Sequence, residues 1–184
     1  MRIIEREQAF DPTPASAQEQ AQSALDEVYP NGITGPVELR RVARHLGVSL
    51  WSLPVDRRVE MTGRERPNGK RKLRIEAPTY RTDPYQRYQV ARCLGVSFTP
   101  VAQRTGQVFP VLTERGSDDL ALQSDAFAES FALALLIPLD ALLSNWGKSQ
   151  FALAQTFGVK VSHIQARIEM VQDLGLTQNL RRRK

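Results

Sequence analysis

Asp125 and Glu129 stand four residues apart, the spacing that puts two carboxylates on one face of a helix. Paired carboxylates can do acid–base work, although a solvated acidic stripe is the plainer reading. Cys93 is the only cysteine, which excludes an internal disulfide framework and fits a reducing compartment. A nucleophilic thiol needs a base and a lowered pKa. Arg92 adjoins Cys93 in sequence but would not share a helix face with it, so a buried structural thiol is expected. The chain has two histidines, His45 and His163. His45 comes near the end of an arginine-rich helical stretch, where an imidazolium suits the negative end of the helix dipole.

The net charge of +5 is unevenly spread. Between Arg57 and Arg74 eight basic residues face only Glu60 and Glu65, and the chain ends Arg181-Arg182-Arg183-Lys184, so the remainder is acidic. Arg64, Arg66, Lys70, Arg71 and Lys72 in the basic stretch, with the tail, are candidate phosphate contacts. The stretch lacks the interleaved aromatics on which single-strand binders stack bases, so it suits at most a weak, salt-sensitive affinity; a solvated loop is the plainer reading. Further on, the segment Gln150 to Val171 has helix-turn-helix character. Its second helix offers Lys160, His163 and Arg167 to phosphates or bases. A helical hairpin packed on the core is the alternative.

Helical spacing over Ser16 to Tyr29 (Ala17, Ala21, Ala24, Leu25, Val28) predicts a first helix ended by Pro30-Asn31-Gly32. Pro36 opens a second helix that Gly47 closes. Val48 to Leu53 and Leu73 to Ala77 alternate as strands, with a hairpin or exposed loop over residues 57–71. Asp83-Pro84 starts a helix running to about Leu94, with Tyr85, Tyr88 and Ala91 buried. An irregular stretch with short strands covers residues 96–116. The longest helix runs from about Asp118 to Leu136, capped by Ser117, with Leu120, Phe127, Phe131 and Leu135 as an apolar stripe. Two short helices follow, Ser149 to Phe157 and Val161 to Leu174, around a Gly158-Val159 turn. No apolar run approaches the roughly 20 residues of a membrane span, and the acids at the start do not suit a signal peptide. A cytoplasmic, soluble protein is expected.

Three segments, in order, carry a resemblance. Val37 to Val48 ends in a Leu-Gly-hydrophobic step. Tyr85-Gln86-Arg87-Tyr88-Gln89-Val90-Ala91-Arg92-Cys93-Leu94-Gly95-Val96 is similar to a motif Arg-Phe-Thr-Leu-Ala-His-Glu-Leu-Gly-His. Phe131-Ala132-Leu133-Ala134-Leu135-Leu136-Ile137-Pro138 is similar to Phe-Ala-Ala-Glu-Leu-Leu-Met-Pro. Over roughly residues 33–176 the chain thereby resembles the ImmA/IrrE family of intracellular zinc peptidases. In that family two histidines four apart on one helix bind zinc, and the glutamate beside them polarises its water.

The resemblance places Arg92 and Val96 at the two histidines, Cys93 at the glutamate and Asp125 at the third ligand. A guanidinium only donates hydrogen bonds, and Val96 has no lone pair. His45 and His163 come from segments too distant to serve as substitutes. No metal or cofactor is therefore implied, and a pseudopeptidase is expected. Arg92, always charged and shaped for a bidentate carboxylate pair, is expected to meet Asp125.

The resemblance implies an α+β, zincin-like fold: a small sheet on helices, then a helical unit. The expected organisation is an N-terminal arm (1–14), a degenerate peptidase-like domain (15–140), a helical unit with helix-turn-helix features (141–180) and a basic tail (181–184). Because family members act on repressors of mobile elements or stress genes, the resemblance implies regulation by binding a protein partner such as a helix-turn-helix repressor. The alternatives are a DNA-binding protein using the basic residues named above and, third, an enzyme of unrelated chemistry. No membrane partner is expected.

Overall fold

A computed structural model describes residues 10–33, 35–53, 58–65, 71–78, 81–103, 106–109 and 119–177. The elements are helix α1 (Pro14–Val28), α2 (Leu39–His45), strands β1 (Ser49–Leu53), β2 (Glu60–Glu65) and β3 (Arg71–Pro78), helix α3 (Pro84–Val96), a 3-10 turn (Pro100–Gln103), β4 (Gly106–Phe109), and helices α4 (Asp119–Leu136), α5 (Leu139–Ser144), α6 (Gln150–Phe157) and α7 (Val161–Asp173). The fold is α+β.

The four strands lie in the order β1-β3-β2-β4. β1 runs parallel to β3, while β2 is antiparallel to both β3 and β4. Register aligns one apolar residue from each strand: Leu50 opposite Ile75, Ile75 opposite Met61, Met61 opposite Phe109. Met61, Ile75 and Phe109 are buried, and Leu50 packs against the same core. Side chains alternate across a strand, so Arg74, Glu76, Arg64 and Lys72 go to the opposite face. Sequence reading leaves residues 57–71 between a hairpin and an exposed loop. The structure makes 60–65 an interior strand: its buried residues are only Met61 and Gly63, an apolar signal too short to stand out among the charges.

Local chemistry fixes the helix ends. The Thr13 hydroxyl accepts from Ser16 N at 3.2 Å, and the Asp83 carboxylate from Tyr85 N at 2.7 Å and Gln86 N at 3.3 Å, with Pro14 and Pro84 opening α1 and α3. Ser149 Oγ accepts from Ala152 N at 3.2 Å to start α6, and Gly158 ends it at φ 64°, a backbone state that favours glycine. The proposed cap of α4, Ser117, lies outside the described residues. Helix α5 has no counterpart in the sequence reading, which passes from Pro138 to the Trp146-Gly147 break.

Helix α4 is the spine, with α1 and α3 against it and α7 touching its end. Phe127, Phe131, Leu135 and Leu136 are buried, each such side chain contributing roughly 1.5–3 kcal/mol. Leu120, expected in that stripe, is exposed, because it lies in the first turn of α4. At the α3–α4 crossing Gly95 lets the backbones meet: a Cβ there would stand 2.8 Å from Ala128 Cα. Leu153, Phe157, Ile164 and Val171 of α6 and α7 join the same apolar core. Among the described residues no helix is long and apolar enough to cross a membrane.

Candidate functional site

The α3–α4 crossing carries the charged site. Arg92 occupies the third turn of α3, and its Nη2 donates to Asp125 Oδ1 on α4. The same Nη2 lies 3.5 Å from Glu129 Oε1, one turn further along α4. The side chains of Arg92 and Asp125 are 16% and 23% exposed, against 52% for Glu129, so the pair is inside and the second carboxylate at its rim. The guanidinium also lies 5.5 Å from the centre of the Phe109 ring on β4. Arg92 Nε is shielded from water without a hydrogen-bond partner.

Tyr88, one helical turn before Arg92, extends the site towards α7. Its ring stacks on the His163 imidazole with centroids 4.0 Å apart and planes 21° from parallel. Burial, with Glu129 and Asp125 nearby, pushes the Tyr88 phenol up to about 12, while Arg92 pulls the other way. His163 is shifted downward, first by burial and then by Lys160, and its Nδ1 is buried without a hydrogen-bond partner. The cluster therefore holds its imidazole neutral and its phenol protonated near neutral pH.

The remaining positions assigned to metal chemistry are in the core. Cys93 and Val96 have no exposure, and burial pushes the Cys93 thiol well above its usual value. A thiol so placed is not a nucleophile. Among the described residues no group of three or more His, Cys, Asp or Glu side chains could hold a metal ion. The donor set present, two carboxylates against a guanidinium, does not fit zinc.

Among the described residues the nucleic-acid candidates are Arg64, Lys72, Lys160, His163 and Arg167, and they differ in exposure. Arg64 and Lys72 pair across β2 and β3, both exposed. Lys160 is exposed with its Nζ 4.8 Å from the centre of the Tyr85 ring, which is itself 47% exposed rather than buried as expected. Arg66, Lys70, the Arg71 side chain and Arg181, Arg182, Arg183 and Lys184 lie outside the described residues. The expectation for Arg167 is corrected. It is fully buried, donating from Nε to Ile137 O at 3.1 Å and from Nη2 to Gln18 Oε1, and burial lowers it to about 10. It fastens α7 to the end of α4 and to α1 and is not presented to a phosphate.

Sequence reasoning singles out Arg92, Asp125 and Glu129 but not Tyr88 or Phe109 as members of the cluster. Tyr88 carries a usable signal, since it stands four residues before Arg92 on the same helix. Phe109 carries none, because the sheet register places it.

A search of protein-family models finds no match to the sequence, and a search of curated proteins likewise finds none. Among solved structures, a Mycobacterium tuberculosis transcriptional regulator is similar at 18% identity and a TM-score of 0.49, over 86% of this chain and 47% of that one. The chain thus spans about half the length of that regulator.

Proposed function

We propose that the chain is a non-catalytic regulator of the ImmA/IrrE type, acting by binding a partner protein, with a transcriptional repressor as the partner class. The observation that carries this reading is the Arg92–Asp125 pair, formed by the residues that the resemblance sets at the first and third zinc ligands. A fixed positive charge has replaced a ligand, and the carboxylate that would have bound a cation now binds that charge. The three motif segments support the same reading, since they fall on α2, α3 and α4 in order. Without the histidine pair and the glutamate that the resemblance assigns to zinc chemistry, recognition is the part of a peptidase this reading retains.

Metal analysis of the purified chain, paired with a binding assay, tests this. Zinc should be well below one per chain. Where a helix-turn-helix repressor is encoded beside this chain, it should be retained at moderate salt and recovered uncleaved. One tightly held zinc per chain, or a cleaved repressor, overturns the non-catalytic reading. Retention of duplex DNA that falls steeply with salt, without repressor binding, favours the nucleic-acid alternative. That alternative keeps Arg64, Lys72 and Lys160 as exposed cations but loses Arg167.

A further inference from the structure

We infer that the free edge of β1, with Arg40 and Arg44 of α2, is a docking groove for an extended acidic segment of a partner protein. This does not depend on the reading of Arg92 and Asp125, which lie on other elements. Among the described residues β1 has β3 as its neighbour on one side and ends the sheet on the other. Alternate N–H and C=O groups of such a strand point outward and can pair with an added strand. Between β1 and α2 lies a groove of about 560 Å³, lined by Arg40, Ala43, Arg44 and residues 47–51.

Among the described residues the charge of the groove is uncompensated: no carboxylate lines it, and neither Arg40 nor Arg44 forms an ion pair. Arg40 Nε is shielded from water and has no hydrogen-bond partner. By contrast Arg74, which lies over the Trp51 ring at 4.5 Å, is already paired with Glu76 at 2.6 Å. Trp51 remains 52% exposed at the end of the groove, with an apolar face for a partner side chain.

The spacing also fits. Arg40 and Arg44 are one turn apart, about 6 Å along the helix axis. Alternate side chains of an extended strand repeat at about 6.6–6.8 Å on one face. A strand with acidic residues at alternate positions can therefore address both guanidiniums while its backbone pairs with β1. A single nucleic-acid strand would meet the same charges but could not use the outward backbone groups of β1, which is why a peptide is the better occupant.

The test uses the full chain and a fluorescent, end-capped heptapeptide alternating glutamate with valine, followed by anisotropy at low salt. Saturable binding is expected, weakened about tenfold or more by Arg44→Glu, which corresponds to a single close charge contact. Arg40→Glu should act likewise, with unchanged circular dichroism and urea midpoint confirming that both variants fold. Backbone N-methylation distinguishes strand addition from charge adhesion. Methylating one alternate set of peptide residues should abolish binding, and methylating the other should not. Equal binding of a lysine–valine peptide, equal loss with both methylation patterns, or no binding overturns the proposal. So does a single-stranded oligonucleotide that binds more tightly at the same arginines. Self-association of the peptide-free chain that Arg44→Glu removes would assign the groove to a second copy and overturn it too.

Discussion

The His163 imidazole lies face to face with the Tyr88 ring, 4.0 Å between centroids, and so joins α7 to α3. A residue of a DNA-reading helix faces outward, whereas this one faces the body of the protein. Arg167, one turn further along α7, does the same, reaching Ile137 O and Gln18. The exposed side chains of α7 are Val161, Ser162, Gln165, Glu169, Gln172 and Asp173, with acids towards its C-terminus. Much of the basic character of the segment is therefore spent on attachment, and its outer surface is less suited to a phosphate backbone than its composition implies.

Stability should fall in mild acid because of His163. Burial lowers its folded-state pKa from the usual 6.5, so the unfolded chain binds the proton first as pH drops. The imidazole therefore contributes no pH dependence well above 6.5, and a growing penalty as pH falls below that value towards the folded-state pKa. His163→Phe preserves the stack and removes the proton site. Urea midpoints measured from pH 8 to pH 5 should flatten in the variant relative to the parent; parallel curves would show that His163 is not the group responsible.

The opposite limb belongs to Tyr88. Its phenol is raised from 10 to about 12, so above pH 10 the unfolded chain loses the proton first and the folded state is destabilised. Tyr88→Phe should lessen the alkaline loss of stability between pH 10 and 12. Absorbance titration of phenolate should lose a late-ionising component in the variant relative to the parent.

Gly95 tests the crossing of α3 and α4. On helix propensity alone Gly95→Ala should stabilise by about 1 kcal/mol. The new Cβ would stand 2.8 Å from Ala128 Cα and 3.1 Å from Ala128 O, both backbone atoms that cannot move aside singly. Overpacking of this kind costs about 1–3 kcal/mol, so net destabilisation is expected, and more with Gly95→Val. A raised urea midpoint for Gly95→Ala would mean that propensity wins and the helices separate easily.

What the sequence made legible follows from which interactions are local. The cap of α3 was readable because Asp83 and Pro84 act on their own backbone. The Arg92–Asp125 pair was accessible because the resemblance set both residues at zinc-ligand positions, and a buried carboxylate without its cation calls for another positive partner. β2 was obscured because its apolar content is Met61 and a glycine, with the register to β3 and β4 supplying the rest. Arg167 misled for a related reason: a cationic side chain at helical spacing looks solvated until an unsatisfied carbonyl, here Ile137 O, is known to lie beneath it. Tyr85 was placed inside by its type, yet lies on the outer face of α3 with Lys160 over it.

Arg167 should be expensive to truncate and hard to replace with lysine. Its Nε and Nη2 satisfy the carbonyl of Ile137 and the amide oxygen of Gln18, and Nη1 lies 3.4 Å from Met170 Sδ. Arg167→Ala leaves these acceptors buried and opens a large void, which should cost about 3–5 kcal/mol. Arg167→Lys keeps the charge without the planar fork and should recover less than half of that loss. Arg167→Met with Gln18→Leu, which removes the Gln18 acceptor with its donor and leaves only Ile137 O unpaired, should be milder than Arg167→Ala by chemical denaturation. If lysine restores full stability, charge rather than geometry is what the site requires.

The Arg92–Asp125 pair calls for a cycle of three residues, because Glu129 stands within 3.5 Å of the same guanidinium. Were the pair isolated and wholly buried, removing the carboxylate would cost about 3–5 kcal/mol through the charge left behind. Asp125 retains 23% exposure and Glu129 offers a second carboxylate, so Asp125→Ala should cost less, about 1–3 kcal/mol. Adding Glu129→Ala should then cost more than it does in the parent, since the guanidinium loses its remaining carboxylate among the described residues. Arg92→Leu with Asp125→Leu should be milder than Asp125→Ala, because no buried charge is left unpaired and Phe109 gains an apolar neighbour. Urea unfolding of the singles, doubles and triple measures each coupling. Strictly additive effects among Arg92, Asp125 and Glu129 would mean that the three charges do not act as a unit, and that α3 and α4 are held by Gly95, Ala128 and Phe131 alone.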